Sequence, residues 1–157
     1  MIQKIEVSEA QNTVLNNSTP VSNVTSFDYF ISYAHVYGKE VLEFVTELKN
    51  ANKDLSIFYD RDSIAPGGLW IKNISDAIQN SKQVICILSP QYSASNVCWN
   101  EFQCARLKEY NTKQSVIKTI YLYKDVSLQP VMGIYSYIDC CEGNIAALKN
   151  AAIQILK

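Results

Sequence analysis

Glu101 is the side chain best set to do chemistry, because of the stretch that carries it, QVICILSPQYSASNVCWNEFQCARLKEY, from Gln83 to Tyr110. Gln83 to Leu88 is a continuous apolar, β-branched run with the length of a strand covered on both faces. Ser89-Pro90 stops it, since proline has no N–H for a ladder and biases the residue before it away from helix. Ser93-Ala94-Ser95-Asn96 then offers a helix start whose serine or asparagine oxygen can cap free backbone N–H groups, so Glu101 falls in the first turns. Cys98, Phe102 and Ala105 share one face, an apolar stripe that runs beside Glu101 and seats the carboxylate at its margin. There it can face a cleft at the carboxyl end of the strands, where one preplaced carboxylate stabilises developing positive charge or holds hydroxyl groups.

Other reactive residue types are sparse. Cys86, Cys98, Cys104, Cys140 and Cys141 form an odd set without CxxC spacing, and His35 is the single histidine. That pattern gives poor support to a zinc site and reads as reduced thiols, so no metal is expected. A net charge of −1, with lysines scattered, offers no general pull on nucleic acid or anionic lipid. The longest apolar run is far short of a membrane span, and the N-terminus lacks the basic-then-apolar order of a secretory signal. These features predict a cytoplasmic protein with no membrane or nucleic-acid partner. With 157 residues, 48% hydrophobic and 18% charged, the chain suffices for one domain with a real core.

The elements that must position Glu101 follow from periodicity. Residues 1–26 are rich in Asn, Ser, Thr and Val and read as an N-terminal arm or linker. FDYFISYA, from Phe27, alternates and is aromatic-rich, a strand followed by the break His35-Val36-Tyr37-Gly38. Val41, Phe44, Val45 and Leu48 recur at helical spacing. LSIFYD is a second strand, and Trp70, Ile74 and Ala77-Ile78 begin a second helix. The organising stretch is strand three and helix three; Ser115 to Tyr123 holds a fourth strand and Tyr135 to Cys140 a short fifth. Ile145, Leu148, Ala152 and Ile155 line a closing helix. Alternation of strand and helix predicts a parallel sheet with helices on both faces. Lys124 to Gly133, broken by Pro130 and Gly133, is too short for a full crossover helix and predicts an irregular connection. Ligands of such a sheet bind outside the carboxyl ends of its strands, which gathers the loops after Tyr33, Tyr59 and Leu88 around one cleft.

Three segments carry a family resemblance. Phe27-Asp28-Tyr29-Phe30-Ile31-Ser32-Tyr33 resembles the first box of Toll/interleukin-1 receptor (TIR) domains. Asp60-Arg61-Asp62 through Pro66-Gly67 looks like the second box, with its R-D-x-x-P-G pattern. Ile78 to Glu101, through Ser81, Leu88-Ser89, Tyr92, Ser95 and Cys98, is similar to the third. The likeness covers residues 27–157, which are expected to form the TIR domain. It implies a flavodoxin-like α/β three-layer fold with a five-stranded parallel sheet in order 2-1-3-4-5. It also implies cleavage of NAD⁺ as substrate, with no separate cofactor, at the nicotinamide–ribose bond, and maps the family's catalytic glutamate to Glu101. Nicotinamide leaves as a neutral pyridine, so no strong general acid is needed, and one carboxylate against the ribose cation can be enough.

Around Glu101 the resemblance draws in the first loop, Tyr33, Ala34 and His35, the second loop, Asp60, Ser63 and Gly67, and the helix start, Val97 and Cys98, as substrate-binding positions. Tyr33 either stacks on a base or packs in the core. His35 is either a ligand or a surface group. Asp60 and Asp62 are solvated turn carboxylates or acceptors for ribose hydroxyls, and Gly67 and Gly68 serve backbone shape. Val97 occupies the position of the family's tryptophan. Trp99, two residues before Glu101, is rotated about 200° from it and cannot stand in. Loss of that aromatic wall leaves open whether water attacks, giving ADP-ribose, or a group of the same molecule attacks, giving a cyclic product.

The resemblance implies an NAD⁺ hydrolase or ADP-ribosyl cyclase, of the prokaryotic Thoeris-like antiphage kind, whose product a separate effector reads. It also implies TIR–TIR self-association through the 60–68 loop. The competing expectation is a TIR scaffold that only docks other TIR domains. A receiver domain is excluded because strand three ends in Ser89-Pro90 where an aspartate is needed, and no G-x-x-x-x-G-K-[ST] loop occurs.

Overall fold

The computed structural model describes residues 26–59, 70–124, 127–140 and 142–157. Strand and helix alternate through them: β1 (Phe27–Tyr33), a single 3-10 turn (His35–Tyr37), α1 (Gly38–Ala51), β2 (Ile57–Phe58), α2 (Trp70–Gln79) and β3 (Ser81–Leu88). The one-turn α3 (Pro90–Ser93), α4 (Asn96–Thr112), β4 (Ile117–Tyr121), β5 (Tyr137–Asp139) and α5 (Ile145–Ile155) complete the order. The five strands pair in parallel in the order 2-1-3-4-5, a flavodoxin-like arrangement. The expected arm, residues 1–26, and the expected second loop with Asp60, Ser63 and Gly67 lie outside the described residues, apart from Ser26.

Alternation along β1 builds the layers, because successive side chains of a strand point to opposite faces. Ile31 and Tyr33 join Val41, Phe44, Val45 and Leu48 of α1 and Leu148, Ala151 and Ala152 of α5 in one core. Phe30 joins Ile74, Ala77 and Ile78 of α2 and Cys98, Phe102 and Ala105 of α4 in the other. β3 carries the register between them, with Ser32 opposite Cys86 and Tyr33 opposite Ile87.

The strands are shorter than the apolar runs. β2 keeps two residues of LSIFYD, paired Tyr29 to Ile57 and Phe30 to Phe58, because it is an edge strand with β1 as its one neighbour. Just before it the Ser56 N–H donates to Asp28 Oδ2 at 2.8 Å, and Asp28 meets Lys82 Nζ at 2.7 Å. Between β4 and β5 the described residues make consecutive turns, Met132 N–H to Gln129 O at 2.8 Å and Gly133 N–H to Pro130 O at 3.1 Å, as the irregular connection requires.

Two side chains anchor the far end of α4. Lys108 Nζ donates to the carbonyls of Ile78 at 3.2 Å and Gln79 at 2.9 Å, free C-terminal carbonyls of α2, and to that of Ser81, the first residue of β3. Glu109 Oε1 accepts the N–H groups of Val116 and Ile117, each at 2.8 Å, and its Oε2 accepts Tyr135 O–H at 2.7 Å. Helix four is thereby held against α2, β4 and the segment before β5.

Gly143 is where the backbone demands glycine: φ is +78°, and a Cβ would run into the Tyr123 ring. Tyr123 itself lies against Tyr37 at 5.3 Å, so the intrusion would reach the loop after β1. Gly143→Ala is expected to destabilise the fold by about 2–4 kcal/mol, left-handed strain and overpacking together. Urea unfolding measures it, and an unchanged midpoint would refute the contact.

Candidate functional site

The site grows from two short caps and one strand. Ser89 Oγ accepts the Tyr92 N–H at 3.1 Å and Pro90 fills the first position of α3, so the chain leaving β3 turns sharply and presents Tyr92 inward. Ser95 Oγ accepts the Cys98 N–H at 3.2 Å and starts α4. The buried residues of that helix are Cys98, Glu101, Phe102 and Ala105. Spacings of three, four and seven put all of them on one face, so Glu101 belongs to the packed seam. Its residual exposure is 1%. The expected seat at an open margin is therefore replaced by an interior one.

An interior carboxylate needs polar company, and β1 supplies it. Ser32, fully buried on the face that carries Phe30, donates from Oγ to Glu101 Oε2 at 2.5 Å. The Tyr92 hydroxyl lies 2.9 Å from Ser32 Oγ and donates to the Cys98 carbonyl at 3.3 Å. Cys98 Sγ donates to the Tyr33 carbonyl at 3.4 Å, tying the first turn of α4 to the end of β1. Burial pushes the Cys86 thiol up to about 12, and Tyr92 well above its ordinary value, also chiefly by burial. Both are therefore uncharged near neutrality.

Other expected positions divide by face. The Tyr33 ring packs in the core with α1 and α5, on the sheet face opposite Glu101; of its two readings the structure gives core packing. Ala34 is buried, and His35 is exposed with its ring 6.1 Å from that of Tyr33. Val97 is half-buried and Cys98 fully buried at the start of α4. Trp99 stacks on Phe102 at 6.0 Å, within the α2–α4 core. Tyr37 O–H donates to Gln91 Oε1 at 2.5 Å, joining the turn after β1 to α3. Among the described residues no group of three His, Cys, Asp or Glu is placed to hold a metal ion, and no helix is long and apolar enough to cross a membrane. Two shallow hollows, one bordered by Asp28 and Lys82 and the other by Lys118 and Lys157, open at the amino ends of the strands, away from Glu101.

Ser32 and Tyr92 enter the sequence motifs without a role. The available signal was a small hydroxyl inside an otherwise apolar strand, which has to find a partner once buried.

A family profile described as a TIR domain matches residues 30–156. Toll-like receptor 4 of Pinctada imbricata is 35% identical over 85 residues, 52% of this chain and 9% of that receptor's length. The TIR domain of the Toll-related receptor TRR-2 from Hydra magnipapillata superposes with a TM-score of 0.65 at 24% identity, over 84% of this chain and all of that one. The TIR domains of the activated Roq1 resistosome, which recognises the pathogen effector XopQ, give 0.61 at 16% identity, again over 84% of this chain and the whole of theirs.

Proposed function

Because the chain belongs to the TIR-domain family, we propose that it cleaves NAD⁺ at the nicotinamide–ribose bond, with Glu101 as the catalytic carboxylate. The observation that carries this reading is the grip of Ser32 Oγ on Glu101 Oε2 at 2.5 Å, near the carboxyl end of β1. As the C–N bond breaks, its electron pair leaves with neutral nicotinamide and the ribose becomes cationic. A fixed carboxylate in low-dielectric surroundings stabilises that charge far more than one in water. Water then closes the sequence to ADP-ribose, releasing a proton; attack by an adenine nitrogen or ribose hydroxyl of the same molecule closes it to a cyclic product. NAD⁺ is substrate, and no cofactor is required. Tyr33, Ala34, His35, Asp60, Ser63, Gly67, Val97 and Cys98 remain the proposed substrate-binding positions. The Tyr33 contribution would come from its backbone, since the ring lies in the opposite core.

The setting we propose is immune signalling, in keeping with a Toll-like receptor and a resistosome among the similar proteins. The narrower assignment to Thoeris-like antiphage defence, with a separate effector reading the product, draws on the sequence resemblance alone. So does self-association through residues 60–68.

A second reading, a non-catalytic scaffold that docks other TIR domains, is favoured by the 1% exposure of Glu101, which a substrate must overcome to reach it. Chromatography of products after incubation of the purified protein with NAD⁺ separates the two. Nicotinamide with ADP-ribose or a cyclic product, at a specific activity that rises with protein concentration, is expected. NAD⁺ left intact at every concentration, crowded or dilute, would leave only the scaffold.

A further inference from the structure

Four oxygens stand in sequence across the buried seam: the Cys98 carbonyl, Tyr92 Oη, Ser32 Oγ and Glu101 Oε2, separated by 3.3, 2.9 and 2.5 Å. They are contributed by α4, α3, β1 and α4 again. Two hydroxyls own one hydrogen each, so while Glu101 is ionised two hydrogens serve three contacts. The carboxylate claims the Ser32 hydrogen, because a bond to an ionised acceptor is the strong one. Tyr92 donates to the Cys98 carbonyl, which leaves the Ser32–Tyr92 contact short of a hydroxyl hydrogen. A proton on Glu101 Oε2 turns the Ser32 hydroxyl around: the acid donates to Ser32, Ser32 to Tyr92, Tyr92 to Cys98, and all three contacts are filled.

We infer that Ser32 and Tyr92 are positioning residues for Glu101, holding its carboxyl in place through a two-hydroxyl line in which the Ser32 hydroxyl turns around when that carboxyl gains or loses a proton. The catalytic side of this inference rests on the proposed role of Glu101. The line lets the carboxyl carry either charge state in a dry interior without breaking its Ser32 contact. Titratable groups of the described residues in this cluster include Tyr92 on α3, Cys86 on β3 and Cys98 on α4, with Glu109 of α4 acting on Cys86 as well; Asp76 of α2 is exposed.

The test uses two variants that each delete one oxygen and keep the packing, Ser32→Ala and Tyr92→Phe. With NAD⁺ as substrate, Ser32→Ala is expected to lower kcat about 10- to 100-fold, the range for one lost hydrogen bond to a charged group, with KM changed less than about twofold. Tyr92→Phe, one link further out, loses less. The acidic limb of the kcat profile moves to higher pH in Ser32→Ala, because the charge-assisted Ser32 bond to the carboxylate, stronger than the neutral bond the acid makes to the same hydroxyl, is gone. A variant that merely loosened the fold would show no such shift. The same movement should appear without turnover in carboxyl carbon-13 NMR of glutamate-labelled protein, the Glu101 signal being identified by its absence in Glu101→Gln. Folded variants with wild-type kcat, pH profile and carboxyl titration would overturn the inference. If Glu101→Gln is inactive while both hydroxyl variants behave as wild type, the positioning role alone fails. If wild-type protein leaves NAD⁺ intact, the catalytic reading fails, and the NMR titration still decides whether the hydroxyls hold the carboxyl.

Discussion

Glu101→Gln is expected to reduce NAD⁺ cleavage by at least about 10²- to 10³-fold, the loss typical of removing one preorganised electrostatic group from a transition state. The amide keeps the volume and the acceptor oxygen that Ser32 Oγ meets at 2.5 Å, so the α4–β1 seam stays packed. What it removes is the negative charge. An ionised carboxylate with 1% exposure is costly to desolvate, so the amide should leave stability unchanged or raise it. Activity lost with stability kept or gained is the signature of a group retained for function against its own folding cost. The scaffold reading predicts the reverse, a carboxylate whose worth is structural, so Glu101→Gln would lower the melting temperature with no activity to lose. Glu101→Ala is a poorer probe, because it also strands the Ser32 hydroxyl and opens a cavity. Thermal unfolding and product chromatography on the same preparation decide, and cleavage at the wild-type rate in Glu101→Gln would remove Glu101 from the chemistry.

The sequence made the layers legible and left the depth of the site hidden, for one physical reason. Val41, Phe44, Val45 and Leu48 repeat at helical spacing, and the burial of α1 follows them residue by residue. The run from Val84 to Leu88 is buried throughout, as a strand covered on both faces must be. Such signals are local. The edges are not, since the length of β2 and β5 depends on how far a neighbour pairs with them, and Leu55 and Tyr135 lie outside any ladder. One-turn α3 is too short to show a period, though Ser89 and Pro90 supply its cap and first residue. Glu101 was identifiable by type and place, but its burial turns on a hydroxyl 69 residues earlier, which no window of sequence reveals. The tryptophan-bearing motif likewise points to Val97, whereas the rings packed along α4 are Trp99 and Phe102, with Tyr135 edge-on to the second.

Phe102→Ala is expected to be the most destabilising change of those considered, at about 3–5 kcal/mol, the range for deleting a buried aromatic ring. Phe102 is fully buried one residue after Glu101. Its ring stacks on Trp99 at 6.0 Å and meets Tyr135 edge-on at 5.7 Å. Tyr135 in turn donates to Glu109 Oε2, the other oxygen of which holds the N–H groups of Val116 and Ile117. The ring is therefore the apolar half of a joint whose polar half is Glu109, and the two halves set how α4 lies on β3 and β4. Two consequences separate this from simple loss of area. In a double-mutant cycle, Phe102→Ala and Tyr135→Phe should couple only weakly, because the phenylalanine keeps the ring contact and deletes the hydroxyl. Phe102→Ala and Tyr135→Ala should couple strongly, since each removes the same edge-to-face pair. Urea unfolding of the three single and two double variants measures both couplings. If Phe102→Ala costs less than about 1 kcal/mol, well below the core-substitution range, α4 is not wedged on this ring. The rigid seat inferred for Glu101 would then lack its support.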